Sequence, residues 1–223
     1  MAEIKAVIFD MDGVIFDTER LLVKYWCQAA NEMGFPMTRE HALNLRSLAA
    51  RYAEPYLKEQ FGESFNYRKV RARRKELMDD HIDLFGVDIK PGLKELIGYL
   101  KENGYKLAVA TATDYDRAVS YLQKAGVYEC LDALCCGPSV ERGKPEPDIY
   151  LYAAGKLGVE PEECLAVEDS PNGVKAAYAA NMYTVMIPDL TQPDEELKKL
   201  IYRKCDDLLE IIGVLETFRQ TFF

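Results

Sequence analysis

The chain has 223 residues, 48% hydrophobic and 29% charged, which is typical of a soluble globular protein with one large domain or two smaller ones. Its net charge of −9 argues against a nucleic-acid-binding surface, and no apolar run approaches the roughly 20 residues that cross a bilayer. The N-terminus lacks signal-peptide character, and the six cysteines show no C-x-x-C spacing. We therefore expect a cytoplasmic protein with free thiols, neither nucleic-acid-bound nor membrane-bound.

The first predicted element is a buried strand over residues 6–9, and two carboxylates follow it directly. Asp10 and Asp12 lie two apart in an extended segment, so their side chains leave the backbone on the same side. Two like charges this close require a cation or a shared proton. A small, hard cation such as Mg²⁺ meets that need, and Gly13 leaves room for a ligand where the chain turns.

The next interval, up to residue 86, has helical periodicity only. Helix starts are indicated by capping residues, and helix ends by glycine. These signals predict helices over about 18–33, after Thr38, over about 48–61 with a disturbance at Pro55, and from Asn66 to Gly86. We interpret residues 17–86 as a helical domain inserted after the first strand.

Strands and helices alternate in the rest of the chain, with predicted strands at 106–110, 133–135, 164–167 and 183–187 and a final helix near 206–218. Such alternation predicts a parallel sheet with right-handed crossovers. The fold class is therefore α/β, with residues 1–16 and 87–223 forming the core and 17–86 the inserted domain.

Reactive side chains stand at the predicted carboxyl ends of the strands. Thr111 follows the second strand, Lys144 lies in the loop after the third, and Glu168-Asp169 follow the fourth. Ligands of open parallel sheets bind at this edge. The set comprises metal-binding carboxylates, a hydroxyl donor, an ammonium group and a carboxylate nucleophile.

Four motifs in this order resemble those of the haloacid dehalogenase-like superfamily. They are F-D-M-D-G at 9–13, A-T-A-T at 110–113, G-K-P-E-P-D at 143–148 and V-E-D-S-P-N-G at 167–173. Their spacing and the helical insertion resemble the β-phosphoglucomutase-like phosphatase branch. The resemblance implies a Rossmann-like parallel-sheet core with an inserted all-helical cap domain.

The resemblance also implies roles for the residues at the strand ends. Asp10 would attack phosphorus and form an aspartyl-phosphate, while Asp12 would exchange protons with the leaving oxygen and the attacking water. Both would bind Mg²⁺, Asp12 through its backbone carbonyl. Thr111, Ala112 and Lys144 would hold the phosphate, and the metal site would be completed by Asp169 and Glu168.

Other interpretations of these motifs are weaker. An EF-hand loop requires an oxygen ligand and a glycine where this chain has Val14 and Ile15. A dehalogenase would not need Asp12. The mutase of this branch has a histidine at the position of Leu22, and its Ser-Arg-Glu loop is not reproduced. A signalling domain phosphorylated on aspartate remains an alternative from another class.

Candidates for substrate contact in the cap domain are Arg46, Arg51 and Lys75, with the choice between the two arginines left open. We interpret Asp114 as a helix cap and leave Thr113 undecided. The favoured function is a Mg²⁺-dependent phosphatase of small phosphorylated metabolites, with sugar phosphates favoured. A β-phosphoglucomutase-type isomerase is the alternative. We expect a monomer or weak homodimer and leave the role of Cys135 and Cys136 open.

Overall fold

The computed structural model describes residues 3–220. The strands are β1 (Ala6–Phe9), β2 (Lys106–Thr111), β3 (Ala133–Cys136), β4 (Cys164–Glu168), β5 (Tyr183–Met186) and β6 (Arg203–Lys204). The α-helices are α1 (Glu19–Glu32), α2 (Arg39–Leu43), α3 (Ala50–Phe61), α4 (Tyr67–Phe85), α5 (Leu93–Glu102), α6 (Tyr115–Lys124), α7 (Asp148–Leu157), α8 (Pro171–Ala179), α9 (Glu195–Lys198) and α10 (Glu210–Gln220).

The six strands form one parallel sheet in the order β3-β2-β1-β4-β5-β6, which confirms the predicted α/β fold. The strand β1 lies in the centre, and Phe9 pairs with Val109 on one side and Val167 on the other. The strand order reverses at β1, so its carboxyl end opens into a crevice between the neighbouring connections. Asp10 is the first residue beyond that end.

Both faces of the sheet are covered, and β1 is buried throughout because its alternate side chains enter two separate cores. Val7 and Phe9 join the core beneath α5, α6 and α10, while Ala6 and Ile8 join the core beneath α7 and α8. The adjacent cysteines of β3 divide in the same way, with the free thiol of Cys136 in the first core and that of Cys135 in the second.

Helices α1 to α4 all fall within the predicted inserted segment 17–86, and they enclose a hydrophobic cluster of their own. Helix α3 runs through Pro55 without a break, contrary to the predicted disturbance. Two chain crossings join this helical unit to the sheet. They pair with each other through an antiparallel bridge between Phe16 and Ile89 and a 2.9 Å hydrogen bond from the Asp17 amide to the Asp88 carbonyl.

Two short elements were not predicted, the strand β6 and the helix α9. The strand has two residues, Arg203 and Lys204, and both are exposed. A short charged strand at a sheet edge lacks the apolar alternation by which strands are recognised, although it discourages pairing with other chains. In the described residues, no helix combines the length and apolar character needed to span a bilayer.

Candidate active site

Lys144 joins two of the predicted site carboxylates at the carboxyl end of β1. Its ammonium Nζ donates to Asp10 Oδ1 at 2.6 Å, to Glu168 Oε1 at 2.6 Å and to the Ala110 carbonyl at 3.0 Å. All three charged side chains are buried. The three strand ends β1, β2 and β4 therefore meet at one ammonium, as expected when parallel strands terminate together.

Burial and charge act in opposite directions at this cluster. Burial raises the pKa of Asp10 to about 7, although Lys144 acts to lower it. Burial lowers the pKa of Lys144, but the charges of Asp10 and Glu168 outweigh that effect and leave its pKa above the usual value. Lys144 therefore remains a cation at neutral pH.

Glu168 is held in place on both of its oxygens. The Tyr150 hydroxyl donates to Oε1 at 2.6 Å, and the Asp169 amide and the Ser170 hydroxyl donate to Oε2 at 3.2 and 3.3 Å. Gly173 packs against the same carboxylate so closely that an added Cβ would lie 1.9 Å from it. Sequence reasoning missed Tyr150, because nothing distinguishes a tyrosine inside α7 from an ordinary core residue.

Asp10, Glu168 and Asp169 form a group that fits a divalent cation. Each can place a carboxylate oxygen within 4.8 Å of the others. Asp169 Oδ1 is buried and has no hydrogen-bond partner within the described part of the chain. Gly13, with a φ of +87°, leaves room for this group, because a Cβ would lie 2.5 Å from Asp169 Oδ2. An all-oxygen donor set of this kind suits Mg²⁺.

The side chain of Asp12 lies outside this acidic group and is held by two threonines. Thr18 donates to Oδ1 at 2.6 Å and Thr113 donates to Oδ2 at 2.9 Å. Thr18 is the N-cap residue of α1, but its side chain makes no capping bond to that helix. The backbone amide of Thr113 in turn donates to the Thr111 hydroxyl at 3.0 Å. The two aspartates that look equivalent in sequence are thus held by different partners.

Arg46 and Arg51 of the cap domain reach different parts of the core. Arg46 is buried, and its guanidinium lies 3.4 Å from Asp169 Oδ2 and 4.0 Å from Glu19 Oε2. It also donates to the Thr191 hydroxyl at 2.5 Å. Arg51 instead donates to the Glu141 carbonyl at 3.3 Å. Of these two arginines, Arg46 therefore touches a candidate metal-binding residue and Arg51 does not.

Lys75 and Asp114 pair with each other, with Arg71 as a further partner of Asp114 at 3.5 Å. Asp114 occupies the N-cap position of α6, as predicted, but its side chain makes no capping hydrogen bond. Its carboxylate pairs with two bases of α4 instead. Lys75 does line the cavity, as predicted, but the buried base beside it is Arg74.

A cavity of about 350 Å³ lies between the cap domain and the strand ends. Asp10, Asp12, Thr111, Ala112 and Lys144 line its floor. The cap side contributes apolar residues, including Leu22 and Trp26, together with a cluster of bases. The geometry is that of a parallel-sheet enzyme whose reactive groups lie beneath a helical domain.

The chain belongs to the family of haloacid dehalogenase-like hydrolases, whose sequence pattern matches residues 4–181. It is 33% identical over 182 residues to the phosphorylated carbohydrates phosphatase of Thermotoga maritima, with 80% of this chain and 82% of that protein covered. It is 31% identical over 195 residues to hexitol phosphatase B of Escherichia coli K12, with 83% and 84% covered. The predicted class, a haloacid dehalogenase-like hydrolase of phosphoric monoesters, agrees with these relatives.

The predicted β-phosphoglucomutase-like branch is confirmed as well. The chain is 30% identical over 189 residues to the β-phosphoglucomutase of Bacillus subtilis, covering 81% of this chain and 82% of that one. The crystal structure of a β-phosphoglucomutase from Clostridium difficile superposes with a TM-score of 0.81, covering 98% of this chain and 99% of that one. At 24% identity this structure shows a shared fold alone.

Proposed function

We propose that the protein is a Mg²⁺-dependent phosphatase that hydrolyses small phosphorylated metabolites, sugar phosphates above all, through an aspartyl-phosphate. The observation that carries this proposal is the state of Asp10, whose Oδ1 is bound by Lys144 while the buried Oδ2 has no partner among the described residues. A carboxylate with one oxygen fixed and the other available is suited to attack. The names of the phosphatase relatives support the substrate class.

In the first step Asp10 Oδ2 attacks phosphorus and the bond from phosphorus to the leaving oxygen breaks. Lys144, the Thr111 hydroxyl and the backbone at Ala112 would bind the phosphoryl oxygens and offset their charge. A Mg²⁺ held by Asp10, Asp169 and the Asp12 carbonyl, with Glu168 beside it, would supply further charge stabilisation and orient the phosphate. The acyl phosphate that forms on Asp10 is the intermediate.

Asp12 would supply the protons. Its carboxyl gives a proton to the leaving oxygen in the first step and takes one from the attacking water in the second. The water then releases inorganic phosphate and restores Asp10. The two threonine hydroxyls orient the Asp12 side chain for both transfers, and the cap domain above the cavity excludes bulk water. We propose that the enzyme works in the cytoplasm as a monomer or weak homodimer.

The test is phosphate release from a panel of sugar phosphates with Mg²⁺ or with EDTA. We expect turnover with Mg²⁺ only, and we expect Asp10→Asn to abolish it while the variant melts near the temperature of the wild type. Turnover by Asp10→Asn would contradict the assignment of the nucleophile. Interconversion of sugar 1- and 6-phosphates with little free phosphate would favour the mutase, and stable phosphorylation of Asp10 without turnover would favour a signalling domain.

A further inference from the structure

We propose that the physiological substrate carries a second acidic group, a carboxylate or a further phosphate, and that Arg74 of α4 binds it. This inference rests on the proposed phosphatase function and narrows its substrate class. The second group would belong to the leaving portion of the substrate, on the cap side of the cavity.

Arg74 is a buried cation that forms no ion pair with any residue between 3 and 220. Its residue is 9% exposed, and its Nε has no hydrogen-bond partner in the described region. No carboxylate oxygen of residues 3–220 lies within 4.0 Å of a guanidinium nitrogen of Arg74, which is the limit for an ion pair. Burial of an unpaired charge costs several kcal/mol in general, so such groups are rare outside functional sites. The chain has a net charge of −9 and therefore many carboxylates. Because none of them pairs with Arg74, we infer that a ligand supplies the negative charge.

The charges around Arg74 do not balance. Four bases of this region line the cavity, namely Arg71, Arg74, Lys75 and Arg117. Asp114 pairs with Arg71 and Lys75, and Asp79 pairs with Arg117 at 2.8 Å. Four cations therefore face two paired carboxylates and the more distant carboxylate of Asp12. Burial and the charges of Arg117 and Arg71 lower the pKa of Arg74 to about 10, which leaves it protonated at neutral pH.

The guanidinium of Arg74 lies over one aromatic ring, which is stacked on a second. Its Cζ lies 5.2 Å from the centroid of the Trp26 ring, and Trp26 stacks on Tyr67 with centroids 5.8 Å apart. Guanidinium groups stacked in this way keep their edge free for bidentate binding of a carboxylate or phosphate. All three residues line the cavity.

Two observations connect Arg74 with the leaving portion of the substrate. Arg74 lies near enough to Asp12 for that carboxylate to influence the pKa of Arg74, and Asp12 is the group proposed to protonate the leaving oxygen. The phosphoryl group is already served by Lys144 and Thr111 on the floor of the cavity. Arg46 is engaged by Asp169 and Glu19, so Arg74 is the buried arginine still available to a second anion.

The test compares substrates that differ only in the second acidic group. The pairs are 3-phosphoglycerate with glycerol 3-phosphate, and fructose 1,6-bisphosphate with fructose 6-phosphate. We expect the wild type to favour the acidic member of at least one pair by about tenfold or more in kcat/KM, and the preferred pair tells carboxylate from phosphate. Arg74→Gln should lower kcat/KM for that member about 10- to 100-fold. For the partner that lacks the second acidic group, the loss should be less than about threefold.

Arg73→Gln is the matched control, because Arg73 is the preceding residue of α4 and pairs with Glu32 and Glu76 instead of lining the cavity. Arg73→Gln should leave kcat/KM unchanged for both members of each pair. Trp26, the single tryptophan, provides a readout without turnover. In EDTA, the acidic ligand should change the fluorescence of the wild type at lower concentration than that of Arg74→Gln, and Arg74→Lys should recover part of the affinity.

Three results would overturn the inference. The wild type could hydrolyse both members of each pair with the same kcat/KM. This measurement uses no variant, so misfolding of a variant cannot explain it. Arg74→Gln could lose activity equally on both members, which would place Arg74 at the transferred phosphoryl group. Arg74→Gln could also match the wild type on all four substrates. If no monoester is hydrolysed with Mg²⁺, the proposed function itself fails, which is a distinguishable outcome.

Discussion

At the level of single residues, the candidate site depends on side chains that hold other side chains. The ammonium of Lys144 is enclosed by two carboxylates and a carbonyl, and Glu168 is in turn enclosed by Tyr150 and Ser170. Buried charges are tolerable only when such partners are complete, so the loss of one partner affects both stability and the position of Lys144.

Tyr150→Phe tests this arrangement by removing one hydroxyl and little volume. We expect it to lower the free energy of unfolding by about 1–2 kcal/mol, because Glu168 loses a buried hydrogen bond. We also expect kcat to fall by about 10-fold through looser positioning of Lys144. Urea unfolding and phosphate release measure the two effects. Tyr152 is an exposed tyrosine of the same helix, and Tyr152→Phe should change neither stability nor kcat. If Tyr150→Phe equals the wild type in both, Tyr150 does not position Glu168 and Lys144.

Thr18→Val tests the positioning of Asp12 and of its proton. The substitution preserves shape but removes the 2.6 Å hydrogen bond to Asp12 Oδ1. We expect kcat to fall about 10-fold for a sugar phosphate, whose leaving oxygen needs a proton. For p-nitrophenyl phosphate the loss should be less than about twofold, because nitrophenolate leaves without one. Equal losses on both substrates would show that Thr18 does not act through proton transfer.

How well the site residues could be predicted depended on where they lie. Asp10 and Lys144 follow strands, while Thr111 and Glu168 are the last residues of theirs. The carboxyl ends of parallel strands converge, so the proximity of these residues was predictable. Tyr150 and Arg74 lie inside helices, where the facing direction depends on packing that the sequence does not display. Lys75, the predicted contact residue, lines the cavity, and Arg74 lies one position before it, about 100° around the helix.

At the level of elements, α4 of the cap domain is joined to the loop after β2 through Asp114. Burial raises the pKa of Asp114, but the hydrogen bond from Lys75 and the charge of Arg71 outweigh it, so its pKa lies below 3.8. A carboxylate with a lowered pKa contributes stability above its unfolded value, and that contribution is lost as the pH falls through the folded value.

Asp114→Asn should therefore destabilise the protein by about 0.5–1 kcal/mol at pH 7, a modest value because Asp114 is about one third exposed. The difference from the wild type should shrink as the pH falls below 4, since the wild type then loses the same charge. Urea unfolding at a series of pH values measures both. Asp116→Asn, exposed in the first turn of α6, should show no such pH dependence. A constant difference across the series would contradict the ion-pair explanation.

At the level of the whole molecule, the cap domain and the candidate metal site share charged groups. The cap contacts the core through the amide of Ala49, which donates to the carbonyl of Lys144 at 2.9 Å. Asn172 of α8 donates to the Arg46 carbonyl at 2.9 Å, and the Arg46 guanidinium lies beside Asp169. One cap loop therefore contacts both the loop that carries Lys144 and a proposed metal ligand. The helical insertion was predictable from its periodicity, but these contacts between distant segments were not.

Arg46→Met tests whether the cap and the metal compete for the same negative charge. In the wild type Arg46 partly neutralises Asp169 and Glu19, and it would repel an arriving Mg²⁺. Without the guanidinium, the two buried carboxylates lose their compensating charge, and burial already raises the pKa of both above the usual range. We expect the metal-free variant to melt at a lower temperature than the metal-free wild type.

Mg²⁺ should then raise the melting temperature of Arg46→Met by more than it raises that of the wild type, because the ion replaces the missing positive charge. Titration calorimetry should show that Arg46→Met binds Mg²⁺ several-fold more tightly than the wild type, because the guanidinium no longer repels the ion. Arg51→Met is the control, since Arg51 contacts a backbone carbonyl of the core and no proposed metal ligand. An equal or smaller Mg²⁺ shift in Arg46→Met would mean that Arg46 and the metal occupy the site independently.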